Sequence, residues 1–305
     1  MRALVQTTPG SADGLRLVED RPDPVPADGQ VLIEVSSAGV NFADVMSLLG
    51  RYPSPASSFV PGLEVAGIER GTGRPVLALT SGGAYAELAV ADAALVFDAS
   101  GLDLKAAGAY PLVTLTCHFA LSGMARLEPG ESVLILAGAG GIGSTAIQTA
   151  RALGAGRVTA VASTPDKRAF ALAQGADEAI SYDDSFPACD VVLDGVGGEA
   201  FAKAYAATAA FGRMVLIGTS SGSPPPLPEY RAMRDRCVAI MPFSFRALRD
   251  SRPEYVAEQA PAALSLLQSG KVKPPIGLQL PLAQGAEGLK LLGSRSTMGK
   301  VVLIP

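Results

Sequence analysis

The residues with the clearest chemical meaning lie in AGAGGIGSTAIQTARALGA (137–155), which follows the apolar run VLILA (133–137) and spaces Gly138, Gly140 and Gly143 as G-x-G-x-x-G. A strand, this turn and then a helix are the setting in which that spacing signals dinucleotide binding. Gly138 allows the tight turn. Gly140 lets the backbone approach a pyrophosphate, and Gly143 lets helix and strand pack closely. The helix that follows offers free N–H groups and a positive dipole end to phosphates. About twenty residues on, RVTAVAS (157–163) runs into Thr164-Pro165-Asp166-Lys167-Arg168. An NAD-binding fold usually carries Asp or Glu there for the ribose 2′-OH. Here Ser163 can donate to a 2′-phosphate and Lys167, one helical turn in, can pair with its charge, so NADPH is favoured over NADH. Asp166 counts against this, although an acid in a first helical turn also suits the dipole. The competing structural reading makes Ser163 the helix cap and Lys167 a solvated cation.

What is missing narrows the chemistry further. His118 is the only histidine, and Cys117, Cys189 and Cys237 are dispersed, odd in number and free of any CxxC. A disulfide framework, a structural zinc site and a Ser-His-Asp or Cys-His relay without His118 are all disfavoured. Asp44, near a helix start, and Glu64, bonding backbone, are expected to be structural carboxylates. His118 and the buried Cys117 beside it are read the same way.

The elements that must position these groups change character along the 305 residues, a length that suggests two domains. The first hundred residues read as short strands with Gly/Pro punctuation: RALVQ (2–6) before a turn in TTPG, QVLIEVSSAGV (30–40) and AYAELAV (84–90), with one helix at 41–50. Helical spacing covers 103–125. Strands then alternate with helices: 133–137, 157–163, 178–182, 189–195, 213–218 and 236–243 as strands, with helices to 153, over 165–174 and near 199–209. That rhythm means a doubly wound parallel sheet. A helix (254–269) leads to KVVLIP (300–305), a strand expected to rejoin the first domain. The net charge of −4, with scattered basic residues, gives no nucleic-acid footprint. No apolar window spans a membrane and the N-terminus reads as no signal peptide, so a cytoplasmic protein is expected.

Pieces running through nearly the whole chain, AGVNFADVMSLLGRYP (38–53), FVPGLEVAG (59–67), GGAYAELAV (82–90), LEPGESVLILAGAGGIG (127–143), LDGVGGEAF (193–201) and TMGKVVLIP (297–305), resemble the zinc-independent quinone oxidoreductases of the medium-chain dehydrogenase/reductase superfamily. The resemblance implies an α/β protein: a Rossmann-type domain over 114–245, and a β-rich GroES-like substrate domain over 1–113 and 246–305. The superfamily's zinc dehydrogenases carry Cys where this chain has Asn41 or Phe42 and His-Glu where it has Leu63-Glu64, so no bound metal is expected. By position, Asn41, Phe42 and Met46 would line the nicotinamide side. Thr116 would lie near the nicotinamide ribose and phosphate. Gly141 and Ile142 would hold the pyrophosphate, Ser163 and Lys167 the 2′-phosphate, and Tyr182 would lie beside the adenosine. Val196, Gly218, Thr219, Phe243 and Phe245 match the nicotinamide half, and Lys300 matches a C-terminal lysine common in these enzymes. A homodimer paired along a sheet edge at 236–243 is also expected. Two segments, 66–82 and 182–189, are shorter than the family's.

The implied activity is hydride transfer from NADPH to quinones or related conjugated carbonyls. Hydride delivery leaves oxyanion charge that needs a donor, then a proton. Without zinc, the Asn41 amide and the Tyr52 hydroxyl are the candidate catalytic donors. A 2-enoyl thioester or enone reductase on the same scaffold is the alternative enzyme, though only Arg51 offers positive charge near 41–60. A non-catalytic NADPH-binding redox sensor is the alternative outside enzymes.

Overall fold

In the computed structural model, which describes residues 1–7, 14–52 and 58–305, the early strands are joined in their sheet by the last segment of the chain. Two compact units form: Met1–Val113 with Pro253–Gln259 and Pro274–Pro305, and Thr114–Arg252 with Ala260–Lys273. The later boundary differs from the expected 245/246. Phe245 packs against Phe119 at 5.7 Å between ring centroids, and Gln148 exchanges hydrogen bonds with the Lys273 backbone, so both segments belong to the second unit.

In the first unit, β1 (Ala3–Gln6) and β2 (Leu15–Val18) pair antiparallel. The turn expected at 8–10, like Pro53, lies outside the described residues. The long strand β3 (Gln30–Val40) leads to helix α1 (Phe42–Leu48). Then come β4 (Glu64–Glu69), β5 (Pro75–Leu79), β6 (Leu88–Asp92), β7 (Val96–Asp98) and the short α2 (Leu104–Ala107). β4 and β5 pair without a break from Glu64↔Leu79 to Ile68↔Pro75. The shortened 66–82 segment is therefore a tight hairpin. Its turn uses Gly71 and Gly73 at φ 97° and 73°, a region open to glycine. The strand expected at 84–90 starts later, at Leu88. Residues 84–87 instead bond β1: Leu4 N–H donates to Tyr85 O and Ala86 bridges Ala3.

The second unit opens with α3 (Pro111–His118), whose first residues still belong to the first unit, and a π-helical turn (Phe119–Met124). The alternation that follows is β8 (Ser132–Leu136), α4 (Gly141–Ala152), β9 (Arg157–Val161), α5 (Pro165–Ala173), β10 (Glu178–Ile180), β11 (Cys189–Asp194), α6 (Gly198–Ala207), β12 (Thr208–Leu216), α7 (Tyr230–Arg236) and β13 (Ala239–Pro242). Every pair is parallel, in the order β10-β9-β8-β11-β12-β13. Numbered within the sheet this is 3-2-1-4-5-6, the dinucleotide-binding order, with its switch point between β8 and β11. The sheet has an apolar core on each face, one around Val133, Ile135 and Ile147, the other around Leu134, Val192 and Phe201. The strand expected over 236–243 is shorter because α7 runs to Arg236 and ends on Cys237 at φ 51°.

Helices α8 (Phe245–Ser251) and α9 (Pro253–Gln268) precede β14 (Ile276–Pro281), α10 (Gly285–Gly293) and β15 (Lys300–Ile304). As expected, the last strand rejoins the first unit: β15 pairs antiparallel with β3, Val301 opposite Val40 and Leu303 opposite Ala38. It carries β14 at the sheet's edge. Among the described residues no helix is long and apolar enough to cross a membrane.

Candidate active site

Where β3 ends and α1 begins, polar side chains are buried in the first unit's core. Lys300, at the start of β15, is 3% exposed and directs its ammonium to Val40 O, Asn41 Oδ1 and Glu64 Oε1 (3.0 Å). Asn41 Nδ2 donates to Glu64 Oε1 at 2.8 Å and more weakly to Gly39 O. Glu64, fully buried, accepts the Leu112 N–H on its other oxygen at 2.8 Å. The Asn41 amide expected to meet an acceptor is thus engaged inside the unit on both its oxygen and its nitrogen. The Lys300 ammonium likewise makes three hydrogen bonds within the network. Gly39 makes this close packing feasible, since a Cβ there would stand 2.3 Å from Glu64 Oε1.

Asp44 sits at the third position of α1, where its Oδ2 accepts the Asn41 N–H (2.9 Å) and the Tyr85 hydroxyl (2.8 Å). Burial pushes the Asp44 carboxyl up to about 6; Tyr85, the Asn41 N–H and the Lys300 charge oppose the rise, and Glu64 adds to it. Burial, reinforced by Asp44, also holds the Tyr85 hydroxyl well above its usual range, so it stays a donor. The folded chain keeps the Asp44 proton to higher pH than the unfolded chain, whose ordinary value is 3.8. The resulting stability is full below about pH 4 and is lost as pH rises through 6, a change of about 3 kcal/mol. Denaturant unfolding of the parent and Asp44→Asn from pH 4 to 7 should show this slope in their difference; parallel curves would refute it.

Phe42 and Met46 are half-buried on α1. Tyr52 follows the helix, donating its N–H to Met46 O at 3.3 Å, and is 36% exposed.

In the second unit the glycine loop joins β8 to α4. The left-handed residue is Ala137, at φ 53°, rather than Gly138. Gly138 is needed for packing: a Cβ on it would lie 2.7 Å from Ala160 Cβ. At Gly143 a Cβ would meet Ala137 O at 2.2 Å, so only glycine lets α4 start this close to the strand end. Gly140 caps the helix, and around its missing Cβ only Ala137 O, at 3.3 Å, comes within 4 Å. This open approach, beside the first-turn N–H groups at Gly141, Ile142 and Gly143, fits a pyrophosphate. The Tyr182 hydroxyl accepts the Ala137 N–H at 3.0 Å, and Cys117 is buried with its thiol toward Ile142 O.

At the end of β9 the helix cap is Thr164, whose hydroxyl accepts the Lys167 N–H. Ser163 is thus not the cap, and stands exposed beside it. Val196 follows β11, where Asp194 Oδ1 accepts the N–H groups of Val196 (2.7 Å) and Gly197 (3.0 Å). Gly218 and Thr219 follow β12 in a loop tied back to Gly195 and Val196 through Ser220 and Ser221. Phe243 N–H donates to Leu216 O. Thus residues expected at the nucleotide come together at the carboxyl ends of β8, β9, β11, β12 and β13, where open parallel sheets bind ligands. Thr116 is buried in α3, and Phe245 is buried against Phe119.

Three residues of these clusters were not singled out from sequence. Tyr85 is wholly buried, and a buried tyrosine hydroxyl needs a partner. Arg168 reaches Ala162 O from beside Lys167, and the paired cations in DKR were the signal. Asp194, before two left-handed glycines at 197 and 198, is fully buried and holds their loop. Among the described residues no three His, Cys, Asp or Glu side chains are grouped to hold a metal.

The family model described as zinc-binding dehydrogenase matches residues 141–260, and that for the alcohol dehydrogenase GroES-like domain matches 27–84. The crystal structure of a quinone oxidoreductase from Thermus thermophilus, solved also as its complex with NADPH, is similar over all of both chains at 33% identity and a TM-score of 0.88. A quinone oxidoreductase of Lama guanicoe is 29% identical over 100% of this chain and 97% of its own. Polyketide synthase GfsB of Streptomyces halstedii is 34% identical over 98% of this chain, which spans only 6% of that synthase.

Proposed function

This chain belongs to the quinone oxidoreductase family of the medium-chain dehydrogenases/reductases, and on that premise we infer that it passes hydride to quinones or related conjugated carbonyls without zinc. The cofactor is NADPH, which supplies the hydride when bound. The observation that carries the zinc-free reading is the Lys300 ammonium held between Asn41 and Glu64. Those are the positions at which zinc dehydrogenases of this superfamily carry metal-site residues. A divalent ion at Glu64 would have to displace a buried, hydrogen-bonded cation.

On the nucleotide side, first-turn amides of α4 bind the pyrophosphate, and Ser163 and Lys167 take the 2′-phosphate, with Arg168 adding positive charge. Lys167→Ala should weaken NADPH by about 1.5 kcal/mol, roughly tenfold, and leave NADH unchanged. Titration of both nucleotides checks this, and equal losses would remove Lys167 from the phosphate site.

On the acceptor side Tyr52 is the proposed donor to the developing oxyanion, because the hydrogen-bonding groups of Asn41 are engaged within the network. Asn41 then acts by fixing the start of α1. Tyr52→Phe should lose kcat/KM for a quinone by roughly tenfold, modest because the donor is neutral and water can compete at an exposed residue. NADPH affinity should hold. NADPH oxidation with quinone, enone and enoyl-thioester acceptors, with and without a chelator, tests the whole reading. Loss of activity on chelation would overturn it.

The polyketide synthase relative favours a second reading, reduction of a 2-enoyl thioester, and turnover of that acceptor in preference to quinone would select it. NADPH binding without turnover of any acceptor would indicate a redox sensor. A homodimer belongs to the proposal, since β13 is the edge of its sheet; a monomer mass by light scattering would remove it.

A further inference from the structure

We propose that Tyr182 is a positioning residue that latches the pyrophosphate loop. Its hydroxyl accepts the N–H of Ala137 at 3.0 Å, where the chain leaves β8 for the loop. Ala137 holds φ 53°, a conformation a residue with a Cβ adopts only when its surroundings enforce it. The Ala137 carbonyl in turn accepts the Gly140 N–H at 2.9 Å, and Gly138 N–H is tied to Val161 O on β9. The hydroxyl therefore fixes one end of the strained peptide that sets where Gly140 and the start of α4 lie.

The tyrosine is itself held from behind. Lys203, on α6, donates to the Tyr182 carbonyl at 2.5 Å, and its ammonium lies 5.9 Å from the centre of the Phe186 ring. Both Tyr182 and Phe186 belong to the link between β10 and β11. In this chain that link holds no helix, and the α6 lysine braces it directly. The latch thus runs from α6 through Lys203 and Tyr182 to Ala137 and the loop.

A tyrosine that acts on the adenosine 2′-phosphate would discriminate between nucleotides. One that acts through the loop would not. The latch rests on the NADPH reading of this loop, so one measurement is made without nucleotide. In Tyr182→Phe, amide hydrogen exchange of the 137–143 peptide of the free protein should quicken. NADPH and NADH should both weaken by the same factor, about threefold to tenfold for one neutral hydrogen bond. Binding of 2′-AMP, which has no pyrophosphate, should stay as in the parent. Adding Ala137→Gly, which accepts positive φ without enforcement, should slow the exchange again and recover most of the dinucleotide affinity. Melting curves accompany each variant.

Weakening confined to NADPH and 2′-AMP would overturn the latch and put the hydroxyl on the phosphate. Unchanged loop exchange in Tyr182→Phe would also overturn it, as would equal losses that Ala137→Gly does not relieve. If the parent binds neither dinucleotide, the cofactor reading fails, while the exchange data still decide the latch.

Discussion

Gly143→Ala should abolish useful NADPH binding, weakening it more than about a hundredfold. The added Cβ would meet Ala137 O at 2.2 Å and Gly138 Cα at 2.7 Å, both backbone atoms. Neither yields readily, because Ala137 is bonded to Tyr182 and Gly138 to Val161. The start of α4 must move away instead, at about 1–3 kcal/mol of stability. Its first-turn N–H groups then lose their aim at the pyrophosphate. Two lost charge-assisted hydrogen bonds at about 1.5–3 kcal/mol each account for the affinity change. Gly140→Ala is the internal comparison. Its Cβ would contact only Ala137 O, at 3.3 Å, so the fold should tolerate it with little change in melting temperature. Fluorescence titration and melting curves of both variants settle the matter. Gly143→Ala with NADPH affinity within about threefold of the parent would mean that the pyrophosphate lies elsewhere.

Lys300→Met should be the most destabilising single change in the buried network of the first unit. It keeps the aliphatic stem but strands Glu64, which is fully buried and paired with that ammonium at 3.0 Å. Removing one partner of a buried pair costs about 3–5 kcal/mol. For a unit of this size that is a fall in melting temperature of roughly 6–20 °C. The companion variant Lys300→Met/Glu64→Gln removes the unpaired charge and should recover much of the loss. If the double variant is no better than the single one, Lys300 contributes by packing and the ion pair is incidental.

These two sites differ in how visible they are from sequence. The strand, its loop and its helix are contiguous from Ser132 to Ala152, and the glycine spacing exposes them together. The sheet order follows from the same alternation of strand and helix. The Lys300–Glu64 pair joins residues 236 apart, and no local periodicity couples them. Asn41 reads in sequence as a polar group in an apolar stretch and so as a donor to an acceptor. Its partners come from β4 and β15, which only the folded sheet brings beside β3. Thr164 takes the capping position one residue past Ser163, a shift that helix-start rules resolve poorly. The 84–90 strand slides for a similar reason, since its first residues bond β1 instead of continuing β6.

The position of β15 also bears on when the first unit can fold. Its partner Ala38–Val40 leaves the ribosome long before Lys300, which follows Asn41 by 259 residues. At about 5–20 residues per second, that interval is on the order of ten to fifty seconds. Throughout it the upper end of β3 lacks its β15 neighbour, and Glu64 lacks the cation it will be buried with. The second unit, whose sheet is complete by Pro242, has no such wait. Synthesis therefore favours an order in which the second unit matures first while the first unit waits with an exposed strand edge. During that wait the nascent chain is most open to mispairing and to capture by a chaperone.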